Sequence, residues 1–233
     1  MKLLALDTAT EACSAAVLAD GKLVTRYLEL ARGHSEQILP MIHAVLEESG
    51  VSLRALDAIA FGRGPGAFTG VRLAASITQG LAFGAGLRVV PVSNLRALAQ
   101  RALDADAELA SVLVCSDARM HEVYWCAYRR DRSGLAEQAA PERVSAPAEV
   151  AVPEELARPR GGAGRGFTAY PQLEERLGSG LVRVSRELLP RAQEIAQLAK
   201  LEFAAGRSLA PEQALPEYLR NDVARPASPP SRN

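Results

Sequence analysis

The chain has 233 residues, 48% of them hydrophobic, and its 27 Lys+Arg balance 27 Asp+Glu for a formal net charge of zero. That balance argues against a generic nucleic-acid binder, which needs a basic face, so any such contact must be local. No apolar run approaches the roughly 18 residues of a membrane span, and the first residues enter a strand pattern where a signal peptide would stand, so a cytoplasmic protein is expected.

Leu3 to Thr8 is a short apolar run ending in Asp-Thr, the pattern of a buried strand. Cys13 to Leu18 and Leu23 to Leu30 flank Asp20-Gly21, which predicts a hairpin. A helix is expected from Ser35, which stands in a capping pattern, to Gly50. Ile38, Leu39, Ile42, Val45 and Leu46 form its apolar stripe. Ala58 to Phe61 reads as a strand, followed by a glycine loop and a small-residue helix from about Thr69, as cap, to Phe83. Leu87 to Val92 predicts another strand, and Ser93 caps a helix to about Leu103. The second half opens as the first does, with Val112 to Asp117 an apolar strand ending in Asp and Val123 to Arg129 the second arm of a hairpin. Beyond it the expected elements are one helix near Ala148 to Leu156, a second glycine loop from Gly161 to Gly166, and a short helix from Tyr170 to Leu177. A short strand from Leu181 to Val184 and a helix from Arg191 to Ala205 follow. The Pro/Ser-rich Arg225 to Asn233 is expected to be a disordered tail. Two halves of this kind predict a duplicated α/β fold with a cleft between them, divided as 1–106 and 107–224.

Gly62 to Leu73 has the strand, glycine loop, helix order that lets backbone N–H groups crowd around an anion. Between Asp57 and Asp104 there is no acidic residue, yet Arg63, Arg72, Arg88, Arg96 and Arg101 all fall there. This region is expected to favour an anionic partner or an acidic protein surface. A tight loop with solvated arginines is the alternative, and both stay open. Gly62-x-Gly64-x-x-Ala67 fits a dinucleotide fingerprint but lacks the acidic residue about 20 positions on, and no Lys supplies a triphosphate loop. Asp7 and Asp117 end corresponding strands. Facing a cleft they would suit a metal–phosphate complex; otherwise each simply ends its strand by bonding the turn backbone. His34, His43 and His121 lack metal-ligand spacing, and no Ser, Cys or Thr stands in a nucleophile elbow. The three cysteines, Cys13, Cys115 and Cys126, fit reduced thiols.

Several stretches together carry a specific resemblance. Leu4-Ala-Leu-Asp-Thr-Ala9, Gly64-Pro-Gly-Ala-Phe-Thr-Gly-Val-Arg-Leu73, Pro91-Val-Ser-Asn-Leu95, Asp117-Ala-Arg-Met120 with Glu122-Val-Tyr124, and Pro216-Glu-Tyr-Leu-Arg220 resemble the TsaB (YeaZ) family through nearly the whole chain. The resemblance implies an ASKHA (actin/hexokinase-like) fold with a degenerate second subdomain. It implies a non-catalytic subunit that binds and activates the TsaD-type transferase in threonylcarbamoyladenosine modification of tRNA next to the anticodon. A TsaE-type ATPase would join the complex, the chain would form a homodimer when alone, and tRNA would be met through the complex. ATP and metal would belong to the partner subunits, with no cofactor or metal of its own. In the sister subunit a His-x-x-x-His pair binds metal; laid on this chain those positions are Asn94 and Leu98, a weak ligand and none. The implied partner and dimer interface is Ser35, Ile38, Leu39, Ile42, His43, Arg72, Ala75, Thr78 and Gln79. The expected test variants are Ile42→Glu and Ala75→Arg. Asp7, Thr8, Gly64, Gly66 and Asp117 are the candidate nucleotide or phosphate contacts. Two other readings stay open: an ASKHA-type ATPase or kinase using the cleft, and a glycoprotease-like metallopeptidase.

Overall fold

The computed structural model describes residues 1–220; the expected tail from Arg225 lies outside them. The first half is β1 (Lys2–Asp7), β2 (Ala12–Ala19), β3 (Lys22–Glu29), α1 (His34–Ser49), β4 (Ala58–Gly62), α2 (Phe68–Ala85), β5 (Arg88–Val92) and α3 (Asn94–Ala105). The second half is β6 (Ser111–Asp117), β7 (Val123–Arg130), β8 (Ala136–Gln138), β9 (Arg143–Ser145), β10 (Arg160–Ala163), α4 (Gly166–Ala169), α5 (Gln172–Leu177), β11 (Arg183–Ser185) and α6 (Ala192–Ala204). The strands form one sheet in the order β3-β2-β1-β4-β5 and another in the order β11-β10-β6-β7-β8, with β9 also on β7. Read from β8, the second order repeats the first. A hairpin arm pairs antiparallel beside the leading strand, and two parallel strands follow on its other side. This is the duplicated ASKHA fold.

The hairpin forms where expected, with Asp20 and Gly21 both at positive φ (50° and 83°), as a two-residue turn requires. Alternation along β1 sends Leu4 and Leu6 to one face, where Ile59, Phe61 and Val17 meet Ile38, Ile42 and Val45 of α1 and Ala74, Ala75 and Ala82 of α2. Leu3 and Ala5 go to the other face, with Ala16, Ala58 and Ala60, against Ala192, Ile195, Ala196 and Ala199 of α6. Alanines on both sides let this last helix approach the sheet closely.

The helices cross between the halves. Leu95, Leu98, Ala99 and Leu103 of α3 pack on Val112, Val114 and Tyr128 of the second sheet, while α6 covers the first. The 106/107 division therefore separates the sheets but not the layers. Residues 205–220 then return over the first half. Leu209 bridges to Val89, Ala214 enters the first core, and the Glu217 amide donates to the Arg63 carbonyl at 2.8 Å.

Four local expectations need correction. α2 begins at Phe68 with Ala67 as cap, so Thr69 caps nothing, and α1 begins at His34 behind Gly33 (φ 93°) rather than from a Ser35 cap. Only a 3-10 turn, Pro147–Glu149, forms in the Ala148 to Leu156 region; Pro153 removes an amide and disfavours helix before it. The second glycine loop is largely strand. Arg160–Ala163 pairs parallel to β6 and β11, and only Gly164 to Gly166 turn. At Gly161 a Cβ would stand 2.6 Å from Leu109, so glycine is there for packing.

Candidate functional site

A cleft of about 780 Å³ opens where β1 and β6 end, between the two halves. Its walls come from the turn after β1, the glycine loop, the loop after β6, Arg165 with the end of α4, and the returning strap. Thr8, Gly66 and Asp117 line it; Asp7 and Gly64 do not.

Asp7 is sealed in the protein. It is fully buried, and a Cβ on Gly62 would come within 2.1 Å of its Oδ1. That oxygen accepts from Asn94 Nδ2 at 2.7 Å and from the Ala9 amide at 3.4 Å, while Oδ2 has no partner. Burial pushes the carboxyl up from 3.8 to about 7, against the lowering effect of the Asn94 hydrogen bond. Asn94 is itself buried and accepts from the Gly64 amide at 2.7 Å. Leu98 lies in the α3 core. Asn94 thus ties Asp7 to the glycine loop, while Leu98 serves packing.

The glycine loop lies flat on the turn after β1. A Cβ at Gly66 would be 2.4 Å from the Ala9 carbonyl oxygen, and one at Gly70 2.1 Å from that of Thr8. Ala67 donates to Ala9 at 2.7 Å, Arg63 to Val92 at 2.9 Å, and Thr8 Oγ1 to Gly70 at 2.7 Å. With the Gly64 amide bonded to Asn94, three loop amides are already spent inside the fold. The geometry is that of a tight packing loop.

Asp117 holds its own turn. Its Oδ1 accepts from the Arg119 amide at 2.8 Å and its Oδ2 pairs with the Arg119 guanidinium at 3.1 Å. The corresponding aspartates of the two halves are thus one sealed and one ion-paired. Arg119, Met120 and His121 all have positive φ (60°, 55° and 62°), a conformation that costs L residues energy. Arg220 holds this turn, donating to the Ala118 carbonyl at 3.1 Å and pairing with Glu122. Across the cleft Arg165 pairs with Glu11, Glu29 and Glu187. Hydrogen bonds from Tyr27 and Arg165 hold Glu29 below the usual carboxylate range.

Four of the five arginines of the expected positive surplus are engaged within the fold, two of them by carboxylates. Arg63 pairs with Glu217 at 2.9 Å and Arg96 with Glu202 at 2.7 Å. Arg88 reaches the Ser208 carbonyl and Arg101 that of Leu189. The acids come from the last part of the described chain, distant in sequence. Arg72 instead lies 3.4 Å from the Phe68 ring centroid and donates to Tyr218 Oη at 2.7 Å. Among the described residues no group of three His, Cys, Asp or Glu is placed to hold a metal, and no helix is long and apolar enough to cross a membrane. All three cysteines are buried, and burial pushes the Cys13 and Cys126 thiols up to about 11 and 12.

The residues implied as an interface divide in two. Ile38, Ile42, Ala75 and Thr78 are buried beneath the helices, so Ile42→Glu and Ala75→Arg would put a charge in the core rather than spare the fold. Ser35, Leu39 and His43 lie exposed at i, i+4 and i+8 of α1, and Arg72 is exposed on α2. Gln79 is half-buried and donates to the Ala214 carbonyl. Sequence reasoning missed the aromatic stack on Arg72 and the Arg220 clamp. The signals for the clamp were the Asp117 to Tyr124 and Pro216 to Arg220 motifs, which nothing in the sequence joins.

The family model for TsaD, tRNA N6-adenosine threonylcarbamoyltransferase, matches residues 28–223. The chain is 43% identical to the tRNA threonylcarbamoyladenosine biosynthesis protein TsaB of Escherichia coli over 96% of each sequence. It is also 43% identical to the protein of that name from Haemophilus influenzae, over 96% of this chain and 95% of that one. Among solved structures it matches YeaZ from Pseudomonas aeruginosa with a TM-score of 0.84 and 43% identity, over 94% of this chain and 99% of that one. A second Pseudomonas aeruginosa structure, described as similar to the peptidase YeaZ, matches with a TM-score of 0.85 and 44% identity over the same shares. The motifs, the duplicated fold and these near-full-length matches agree: the chain belongs to the TsaB (YeaZ) family.

Proposed function

We propose that this chain is a non-catalytic subunit that binds and activates a TsaD-type threonylcarbamoyl transferase in modifying tRNA next to the anticodon. A TsaE-type ATPase joins that complex, ATP and metal are supplied by the partner subunits, and tRNA is met through the assembly. When alone the chain pairs with itself through the same face, and it works in the cytoplasm. The names of its relatives support the pathway. The observation that carries the partner role is the outer side of α1 and α2, where Leu39 is 51% and Phe83 80% exposed. Ser76, Gly80 and Gly84 lie exposed at i, i+4 and i+8 of α2. A Cβ on either glycine would meet nothing within 4 Å, so a partner helix can approach closely. The cleft gives catalysis less support, because Asp7 does not line it and Asp117 is ion-paired within its own turn. A metallopeptidase reading lacks a donor set among the described residues.

The test is a reconstituted tRNA threonylcarbamoylation mixture with components omitted in turn, together with Leu39→Asp and Gly80→Arg, which alter exposed positions. The expected result is product only when this chain and the transferase are both present. Both variants should keep normal circular dichroism and lose co-elution and product. Transferase activity without this chain, or wild-type co-elution by both variants, overturns the proposal.

A further inference from the structure

Arg72 differs from the other arginines of its region. Among the described residues, Arg63, Arg88, Arg96 and Arg101 each end on a carboxylate or a main-chain carbonyl. Among those residues Arg72 ends on neither. Its guanidinium carbon lies 3.4 Å from the Phe68 ring centroid and 5.5 Å from that of Tyr218. The rings are 5.9 Å apart, and each is only half covered, Phe68 at 49% and Tyr218 at 43% exposure. The Tyr218 hydroxyl takes the Nε proton at 2.7 Å, so the rotation of the group is set, and among the described residues its terminal N–H groups meet no acceptor. Tyr218 belongs to the strap that returns after α6, so a distant part of the chain is used to hold this cation still.

We infer that the stack is a docking point for a single carboxylate, an Asp or Glu side chain on the transferase subunit, received by the guanidinium fork with apolar flanks against Phe68 and Tyr218. The inference rests on the reading of the preceding section and names the chemistry of the partner at one place on it. A guanidinium fixed by stacking loses little freedom when it binds, and its planar fork matches a carboxylate in two parallel hydrogen bonds. Arginine and tyrosine are also the side chains in which interface energy concentrates. Charge complementarity selects an isolated carboxylate over a nucleic-acid backbone. Arg119 is paired with Glu11 and Asp117, Arg165 with Glu11, Glu29 and Glu187, and Arg63 with Glu217. A phosphate chain tracking this side of the molecule would meet an acid beside each of these bases, whereas a lone carboxylate meets only Arg72.

The test measures affinity for the purified transferase subunit, by calorimetry, for the wild type and for Arg72→Lys, Arg72→Glu and Leu39→Asp. Arg72→Glu is expected to weaken binding by about 30-fold or more, and Arg72→Lys, which keeps the charge and loses the fork, by about tenfold. Circular dichroism should not change, because Arg72 is exposed. If Leu39→Asp abolishes binding while Arg72→Glu binds as the wild type does, the docking point is refuted and the subunit reading stands. If the wild type does not bind the transferase, both fall. If Arg72→Glu lowers tRNA retention by the assembled complex but leaves subunit affinity unchanged, the acceptor is a phosphate and the inference is overturned.

Discussion

Asp7→Asn separates the two uses a carboxylate at the end of β1 can have. In the fold Asp7 sits under Gly62 with one oxygen bonded to Asn94 and the other without a partner. Burial raises its pKa from 3.8 to about 7. A group that binds its proton more tightly when folded favours the folded state at low pH. That advantage is lost as pH rises from 3.8 towards about 7, and above it this group changes stability no further. Each tenfold change in proton affinity is worth about 1.4 kcal/mol. From pH 5 to pH 8.5 the wild type therefore loses about 3 kcal/mol through this group alone. Asparagine has the same shape and keeps an oxygen for Asn94, but cannot ionise. Other titrating groups are common to both proteins and cancel in the difference.

The stability gap between Asp7→Asn and wild type should accordingly widen in favour of the variant by about 3 kcal/mol over that range. For a chain of this length that is roughly 6–12 °C in Tm. Thermal unfolding followed by circular dichroism at half-unit pH steps reads it directly. A gap that stays constant with pH, or that moves against the variant as pH rises, would show that Asp7 is an ionised and stabilised carboxylate, and the sealed-acid argument would fail. The same variant then bears on function. A chain that uses Asp7 for chemistry loses activity with Asn there, whereas the assembly proposed above should modify tRNA at the wild-type rate.

Two further outcomes follow from the packing. Gly70→Ala would place its Cβ 2.1 Å from the Thr8 carbonyl oxygen and should cost about 2–3 kcal/mol in denaturant unfolding. Gly80→Ala, with nothing within 4 Å, should stabilise by about 0.5–1 kcal/mol; similar effects at both sites would refute the assigned roles. Arg220→Ala removes the clamp on the positive-φ turn, so amide exchange at Ala118 and Glu122, which close that turn, should accelerate about tenfold. Unchanged protection at those amides would show that Asp117 holds the turn without it.

What the sequence disclosed depended on how local the cause was. The Asp20-Gly21 hairpin, the α1 stripe and the paired openings of the two halves are written in adjacent residues, and each is present, except that Leu39 of the expected stripe faces outward and Met41 takes its place in the core. The duplicated strand order was legible as a motif order, although little sequence similarity supports it. The glycine loop was ambiguous for a physical reason: the spacing that frees amides for an anion also lets a backbone lie against Thr8 and Ala9, and only the contacts distinguish them. Charge was the least legible. Five arginines without a nearby acid in sequence looked like an anion-seeking patch, yet Glu202 and Glu217 arrive from more than a hundred residues away to pair with two of them. The stretch Ala148 to Leu156 has helix-forming alanines and glutamates, but Pro153 decides against them. Nothing in a single sequence marks three successive residues at positive φ, or a tyrosine at 218 stacked over an arginine at 72.

The degeneracy of the second half bears on why one face should be the partner face. Both halves have the same strand order, but the first covers the outer side of its sheet with helices of 16 and 18 residues. At the corresponding places the second has two 3-10 turns and helices of 4 and 6 residues. Its outer core is closed instead by side chains from irregular segments and short helices, Val150, Leu156, Phe167, Leu173 and Leu177. Two long helices lying on one sheet present a regular surface that another helix pair can match by ridge and groove, whereas short turns do not. Inner helices α3 and α6, each on the other half's sheet, tie the two halves into one body. Without long outer helices on the second half, the described residues present a single regular helical face, the one that carries Leu39, Arg72 and Phe83.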